Sequence, residues 1–226
     1  MTTVNIKVAS VPSLRRLAGY YHFLVSPGLS HRPYVSCTHI AEQMNTDPTQ
    51  VRKDIEVTGL VGKSKVGYAL PELIRAIEAF LGWTNVSDAF LVGAGHLGMA
   101  LLGYPRFNQY GLNIVAVFDN NPAKVGTTIQ GRPVMAMEKL SPLVKRMHVP
   151  IGIITVPAET AQVVADVMVA GGIRAIWNFA PVTLDVPVTV IVENVSLASS
   201  LAVLTSRLAR TTEPDSLAGA KEKKTL

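Results

Sequence analysis

The 226-residue chain is 48% hydrophobic and 16% charged, with a formal net charge of +5. Such a composition supports a buried core and argues against wholesale disorder, and no apolar run reaches the ~18 residues of a bilayer span. The single cysteine, Cys37, excludes an internal disulfide framework and fits a reducing cytosol; Met1–Ser10 carries no secretory pattern, so the expected location is cytoplasmic.

In chain order, Leu14, Leu17, Tyr20, Tyr21 and Leu24 recur at helical spacing behind Pro12, which suits a first turn. Pro27-Gly28 and Pro33 interrupt the chain. A short helix is expected over Thr38–Met44, then a turn at Asn45-Thr46-Asp47, then a helix from Pro48 to Thr58. Ile40, Met44, Val51 and Ile55 form the shared apolar face. Thr49, Gln50, Arg52 and Lys53 lie near the start of the second helix and mostly off that face. Two short helices on a tight turn, with amide and cationic side chains at the start of the second, make a helix-turn-helix pattern. In it Gln can read adenine and Arg can read guanine in double-stranded DNA. Glycines bracket Lys63-Ser64-Lys65, so Gly59–Tyr68 is expected to form a β-hairpin with a cationic tip, a wing. Leu70–Leu81 closes the domain as an amphipathic helix with Leu73, Ile74, Ile77 and Phe80 inward. The competing reading is a small helical domain whose Lys and Arg are merely solvated. Charge favours the first: residues 1–82 carry nine Lys/Arg and six Asp/Glu, whereas residues 83–195 carry seven of each.

The strand Phe90-Leu91-Val92 runs into Gly93-Ala94-Gly95-His96-Leu97-Gly98, and Val115-Ala116-Val117-Phe118 ends in Asp119. Gly-x-Gly-x-x-Gly after a strand, with an acid closing the next strand, is a dinucleotide-binding pattern. Gly93 allows the turn, Gly95 clears room for a pyrophosphate and Gly98 lets the helix pack closely. The helix N-terminus offers free N–H groups to phosphate. Asp119 can accept hydrogen bonds from a ribose diol and would repel a 2′-phosphate, so the expected ligands are NADH and NAD⁺. A further buried strand begins at Ile151. Its turn Thr155-Val156-Pro157, and the later turn at Asn178-Phe179, sit at the carboxyl end of the sheet, where such folds hold ligands. Thr189–Val192 reads as the last strand. Leu197, Leu201, Leu204 and Leu208 then make a narrow apolar stripe suited to a helix–helix seam; it could pack on its own domain, and the narrow stripe and late position suit a contact between two copies of the chain. The expected partition is 1–84, 85–195, a dimerisation helix over 196–211 and a disordered tail over 212–226.

Together these motifs resemble the Rex family of bacterial redox-sensing transcriptional repressors. Thr49-Gln-Val-Arg-Lys-Asp54, Val92–Gly98 with Tyr104, Phe118-Asp119 with Lys124-Val-Gly126, Trp177–Pro181 and Val192–Val195 carry the resemblance, which runs from about Val11 to Arg210. It implies an α/β architecture: an N-terminal winged-helix DNA-binding domain, a C-terminal Rossmann NAD(H)-binding domain and a domain-swapped C-terminal helix. It also implies a homodimer on operator DNA that NADH releases. Arg52 and Lys53 would contact DNA, with Lys63 and Lys65 on the wing. Gly93–Gly98 would hold the pyrophosphate, Asp119 the adenosine ribose, and Tyr104 would lie near the nicotinamide. The chain departs from the common family pattern at Glu56-Val-Thr-Gly59, at Lys63-Ser-Lys65 in place of Lys-Arg-Gly, and at Ser196 in place of an aspartate. That aspartate links the crossing helix to positions matching Arg16 and Tyr104, and Ser196 cannot make a charge-assisted contact.

Two other classes compete. An NAD-dependent oxidoreductase needs an acid–base pair or a metal at the nicotinamide, but His22, His31, His39, His96 and His148 form no recognisable pair or ligand spacing. A CoA- or other nucleotide-binding module accommodates Asp119 and Lys124-Val-Gly126, but leaves the N-terminal segment unexplained. No metal site and no catalytic residue are expected.

Overall fold

The computed structural model describes residues 9–212; beyond Thr212, the expected tail lies outside the described residues. The chain forms two compact units. One runs up to Ser87 and includes Tyr104–Asn113; the other holds Asp88–Gly103 and continues from Ile114.

The first unit contains α1 (Val11–Leu24), β1 (Tyr34–Val35), α2 (Cys37–Met44), α3 (Pro48–Glu56), β2 (Tyr68–Ala69) and α4 (Leu70–Phe80). Its helices start where the sequence supplies caps: Ser36 Oγ accepts the His39 N–H, and Asp47 accepts those of Thr49 and Gln50. Asn45, left-handed at φ 47°, ends α2 and turns the chain into α3. Leu17, Ile40, Val51, Ile55, Leu73 and Ile77 are completely buried in one core. Tyr21 reaches from α1 to α4, its hydroxyl donating to Glu78 Oε1 at 3.0 Å. Burial, aided by that carboxylate, pushes the Tyr21 pKa up to about 12 and keeps it a neutral donor.

The wing is smaller than its sequence suggests. Instead of a hairpin there is a single bridge between Lys63 and Gly67, and β2 pairs antiparallel with β1. Gly67 causes this. At φ +100° it lies so close to β1 that a Cβ would stand 2.2 Å from the Val35 carbonyl oxygen, drawing the second limb away from the first. Lys65 at the tip is left-handed, φ 61°.

The segment 104–113, assigned by sequence to the second domain, packs with the first unit. A 3₁₀ turn at Phe107–Tyr110 sets the Tyr110 ring 4.7 Å from Trp83 and 6.5 Å from Tyr21.

The second unit follows with β3 (Ser87–Val92), α5 (His96–Leu102), β4 (Leu112–Asp119), β5 (Thr128–Ile129), β6 (Arg132–Ala136), α6 (Leu140–Met147), β7 (Ile151–Ile154), α7 (Ala158–Gly171), β8 (Ala175–Asn178), β9 (Ile191–Asn194) and α8 (Leu197–Thr212). The seven-stranded sheet has the order β5-β6-β4-β3-β7-β8-β9. β6 is parallel to β4, β7 to β3, and β8 and β9 continue the parallel series; only the short edge strand β5 runs antiparallel. Apart from β5 this is the doubly wound dinucleotide-fold order, which reverses between β3 and β7. Phe90 and Phe118 meet edge to face at 5.0 Å, fully buried within the core. The last strand starts two residues later than the sequence suggests, because the Val190 N–H closes a turn onto Pro187. Among the described residues no helix is long and apolar enough to cross a membrane.

Candidate functional site

A cavity of about 370 Å³ opens at the carboxyl ends of β3, β4 and β7, beside the point where the strand order reverses. Gly93, Gly95, Asp119, Thr155, Val156 and Pro157 line it, as their sequence positions suggest, with Val92 at the end of β3; Asn120, Asn121, Lys124, Met137, Thr160 and Val164 complete the wall. The added residues come from the turn after β4, from Met137 directly after β6, and from the first two turns of α7. The signal for them was the sheet-end rule, which applies to every strand that points into the crevice.

The glycine turn is held by side chains on three sides. Asp119 Oδ2 accepts the Ala94 N–H at 2.7 Å, and its Oδ1 accepts the Asn121 N–H at 2.8 Å. Lys124 Nζ donates to the Ala94 carbonyl at 2.9 Å and stands 3.6 Å from Asp119 Oδ2. Thr155 Oγ1 bridges the carbonyls of Val92 and Gly93 at 3.0 and 2.9 Å. Each glycine has a separate geometric reason. Gly93 sits at φ +106°, and a Cβ on Gly98 would lie 1.9 Å from the Gly93 carbonyl oxygen. A Cβ on Gly95 would meet nothing within 4 Å, which leaves open space beside the first turn of α5. The arrangement therefore fits the pyrophosphate and ribose of a dinucleotide: room at Gly95, the N-terminus of α5 and a carboxylate beside them. Lys124 offsets part of the charge of Asp119.

Other expected ligand contacts do not line this cavity. His96 and Leu97 are exposed at the start of α5. Tyr104 is also exposed, its ring 4.8 Å from Phe107 in the first unit. Asn178 is fully buried and satisfied: its Nδ2 donates to the Val182 carbonyl and Asn194 Oδ1, both at 2.8 Å, and its Oδ1 accepts the Ala180 N–H. It clips β8 to β9. The ring of Phe179 lies against Trp177 at 4.9 Å.

In the first unit, Val51, Asp54 and Ile55 turn α3 inward while Thr49, Arg52 and Lys53 are exposed. The Gln50 amide donates to Asp54 Oδ1 at 3.0 Å, one helical turn on. Asp54 also receives Arg16 and the Tyr20 hydroxyl, the latter at 2.9 Å. Burial by itself pushes Asp54 up, but the hydrogen bonds from Arg16, Tyr20, Ser13 and Gln50 outweigh it and hold the carboxyl below its usual range. On the wing, Lys63 donates to the Tyr34 hydroxyl at 3.0 Å, which raises the lysine pKa. Lys65 is exposed.

Ser196 caps α8, its Oγ accepting the Ser199 N–H at 3.1 Å. Leu197, Leu201, Leu204 and Leu208 are 71%, 59%, 63% and 60% exposed, an apolar stripe along one face of α8. Among the described residues no cluster of three or more His, Cys, Asp or Glu could hold a metal ion.

A helix-turn-helix unit joined to a dinucleotide-type crevice defines a ligand-responsive DNA-binding regulator. Residues 9–55 match a family described as the N-terminus of putative DNA-binding proteins, and residues 84–182 match the CoA binding domain family. A redox-sensing transcriptional repressor Rex from Treponema denticola is 46% identical over 88% of this chain and 94% of its own. Its counterpart in Bacteroides fragilis is 43% identical over 87% and 90%. Among solved structures, RSP with beta-NAD⁺ and operator DNA matches at a TM-score of 0.84 and 34% identity, covering 91% of this chain and 94% of that one. RSP with beta-NADH matches at 0.82 and 34%, covering 91% and 96%. The chain belongs to the Rex family of redox-sensing transcriptional repressors and is a regulator rather than an enzyme. The match to the CoA binding domain reflects the shared Rossmann half; the N-terminal match separates this chain from a free-standing nucleotide-binding module.

Proposed function

We propose that this chain acts in the cytoplasm as a homodimeric repressor that binds operator DNA through α3 and the Lys63–Lys65 turn and releases it when NADH occupies the crevice. The observation that carries the reading is the cavity at the strand-order reversal, with Asp119 pinning the glycine turn, in a chain that also presents Arg52 and Lys53 on an exposed helix face. Asp119 and the glycine turn face the half of the dinucleotide common to both redox forms, so they supply affinity without discrimination. Discrimination comes from the nicotinamide, which is charged when oxidised and neutral when reduced. An apolar, water-excluding environment penalises the charged ring by desolvation. Only such a differential affinity can shift the DNA-binding equilibrium, and by linkage operator must weaken NADH binding by the same factor. The apolar stripe of α8 supplies the dimer seam, which sets two recognition helices on successive major grooves.

The test is fluorescence anisotropy on a labelled duplex selected by the protein from a random-sequence pool. NADH is titrated at fixed excess NAD⁺ and fixed salt. Release by NADH and retention with NAD⁺ alone support the proposal, and would mean that Ser196 serves the switch without a carboxylate. Retention of DNA at saturating NADH overturns the sensing part.

A further inference from the structure

The chain passes between its two units three times: at Ser87–Asp88, Gly103–Tyr104 and Asn113–Ile114. Two of these junctions lie on neighbouring strands, β3 and β4, tied across by the Ser87 N–H to the Gly111 carbonyl at 2.7 Å. Beyond its junction each strand runs straight into the dinucleotide crevice, β3 to Gly93 and β4 to Asp119. The third junction follows α5, whose first turn is part of the glycine turn. One flexible linker would transmit nothing. Here three short connections lead into the walls of one cavity.

The piece between the last two junctions is fastened to the first unit. Tyr110 packs against Trp83 at 4.7 Å, His22 at 5.7 Å and Tyr21 at 6.5 Å. Gly111, left-handed at φ +68°, lies so near the chain after α4 that a Cβ would stand 2.5 Å from the Asn85 carbonyl oxygen. The Tyr110 hydroxyl is buried with no hydrogen-bond partner among the described residues.

We infer that Tyr104–Asn113 is the strut through which occupation of the crevice is transmitted to the DNA-reading unit, and that Tyr110 is its anchor. The inference rests on the redox-repressor reading above. Tyr110 packs on the rings of Tyr21, His22 and Trp83 and does not line the cavity, so it is a positioning residue whose loss uncouples two intact sites.

The experiment uses the full-length chain and its Tyr110→Ala and Tyr110→Phe variants. NADH affinity is measured with and without saturating selected duplex, and duplex affinity with and without saturating NADH. In the parent protein the two ratios agree and fall in the range of about 5–150-fold expected of allosteric coupling. Tyr110→Ala keeps each single-ligand affinity within about twofold, and its coupling ratio falls below about threefold. Tyr110→Phe, which keeps the ring, keeps the coupling. Parental coupling in Tyr110→Ala overturns the strut. Loss of duplex affinity in the absence of NADH overturns it too, since Tyr110 would then only support the fold of the DNA-reading unit. Absence of coupling in the parent protein is a different failure: it overturns the redox-repressor reading, and the strut with it.

Discussion

Arg16 of α1 grips Asp54 of α3 with two hydrogen bonds, Nε to Oδ2 at 2.6 Å and Nη2 to Oδ1 at 2.8 Å. The pair sets the recognition helix against the first helix of the chain. The family resemblance casts Arg16 as a partner of the crossing helix; in this structure its guanidinium is committed to a buried carboxylate of its own unit. Removing Asp54 leaves that guanidinium without its carboxylate, held by the Ser13 hydroxyl at 3.2 Å. Asp54→Ala should destabilise the first unit by about 3 kcal/mol, the low end for breaking a buried pair, because the Arg16 side chain stays 32% exposed. Urea denaturation read by tryptophan fluorescence measures it, and unchanged stability would refute the pair's importance.

The same carboxylate predicts a pH dependence. Its pKa is lower in the folded protein than in the unfolded chain, so the unfolded state binds the proton first as pH falls. The stabilisation is therefore complete above the usual carboxylate range, near pH 4, and declines as pH drops toward the folded value. Denaturation midpoints of Asp54→Asn should fall less between pH 5 and pH 3 than those of the parent. Parallel curves would assign the acid sensitivity to other groups.

Lys65 holds a left-handed conformation that suits glycine, at a cost of about 1 kcal/mol for an L-residue. Lys65→Gly should raise stability by up to that amount. If the lysine meets a phosphate, the same substitution should weaken DNA binding on all sequences alike and reduce the salt slope by about one ion. Opposite signs in the melting and binding experiments are the expected signature.

Gly98 and Gly95 should respond differently to alanine. At Gly98 the new methyl meets the Gly93 backbone, so α5 must shift; both thermal stability and NADH binding should suffer. At Gly95 the methyl enters open space, so the melting temperature should hold while NADH affinity drops. Equal melting temperatures in both variants would contradict the close packing at Gly98.

On α8, Leu204→Glu places a charge in the middle of the exposed apolar stripe. Sedimentation should show a shift from dimer toward monomer with the helix content retained. A dimer that survives this change would place the seam elsewhere.

The sequence made most of this legible where the signal was local. Asp47-Pro48 announces the start of α3, and the glycine spacing announces the turn after β3, since both are set by backbone chemistry within a few residues. The Gln50–Asp54 bond was legible too, as an amide–carboxylate pair four apart on a helix. Asn178 was not. Whether an asparagine at a strand end faces a ligand or the neighbouring strand depends on the register of β9, and Asn194 sits opposite it. Tyr104–Asn113 was equally opaque, because its allegiance is decided by rings far away in the chain, at Tyr21, His22 and Trp83.

That allegiance bears on how such a protein can be taken apart or assembled. A cut after Ser87 would seem to release a DNA-binding module, yet it would strip Tyr110 from Trp83 and leave an aromatic face bare. Recombination at that junction would hand a new host protein a domain missing one of its walls. The two halves are modular in architecture but not in heredity: each must be inherited, expressed and engineered with the other, and fusion designs that respect the domain boundary read from sequence should yield sticky, poorly folded fragments.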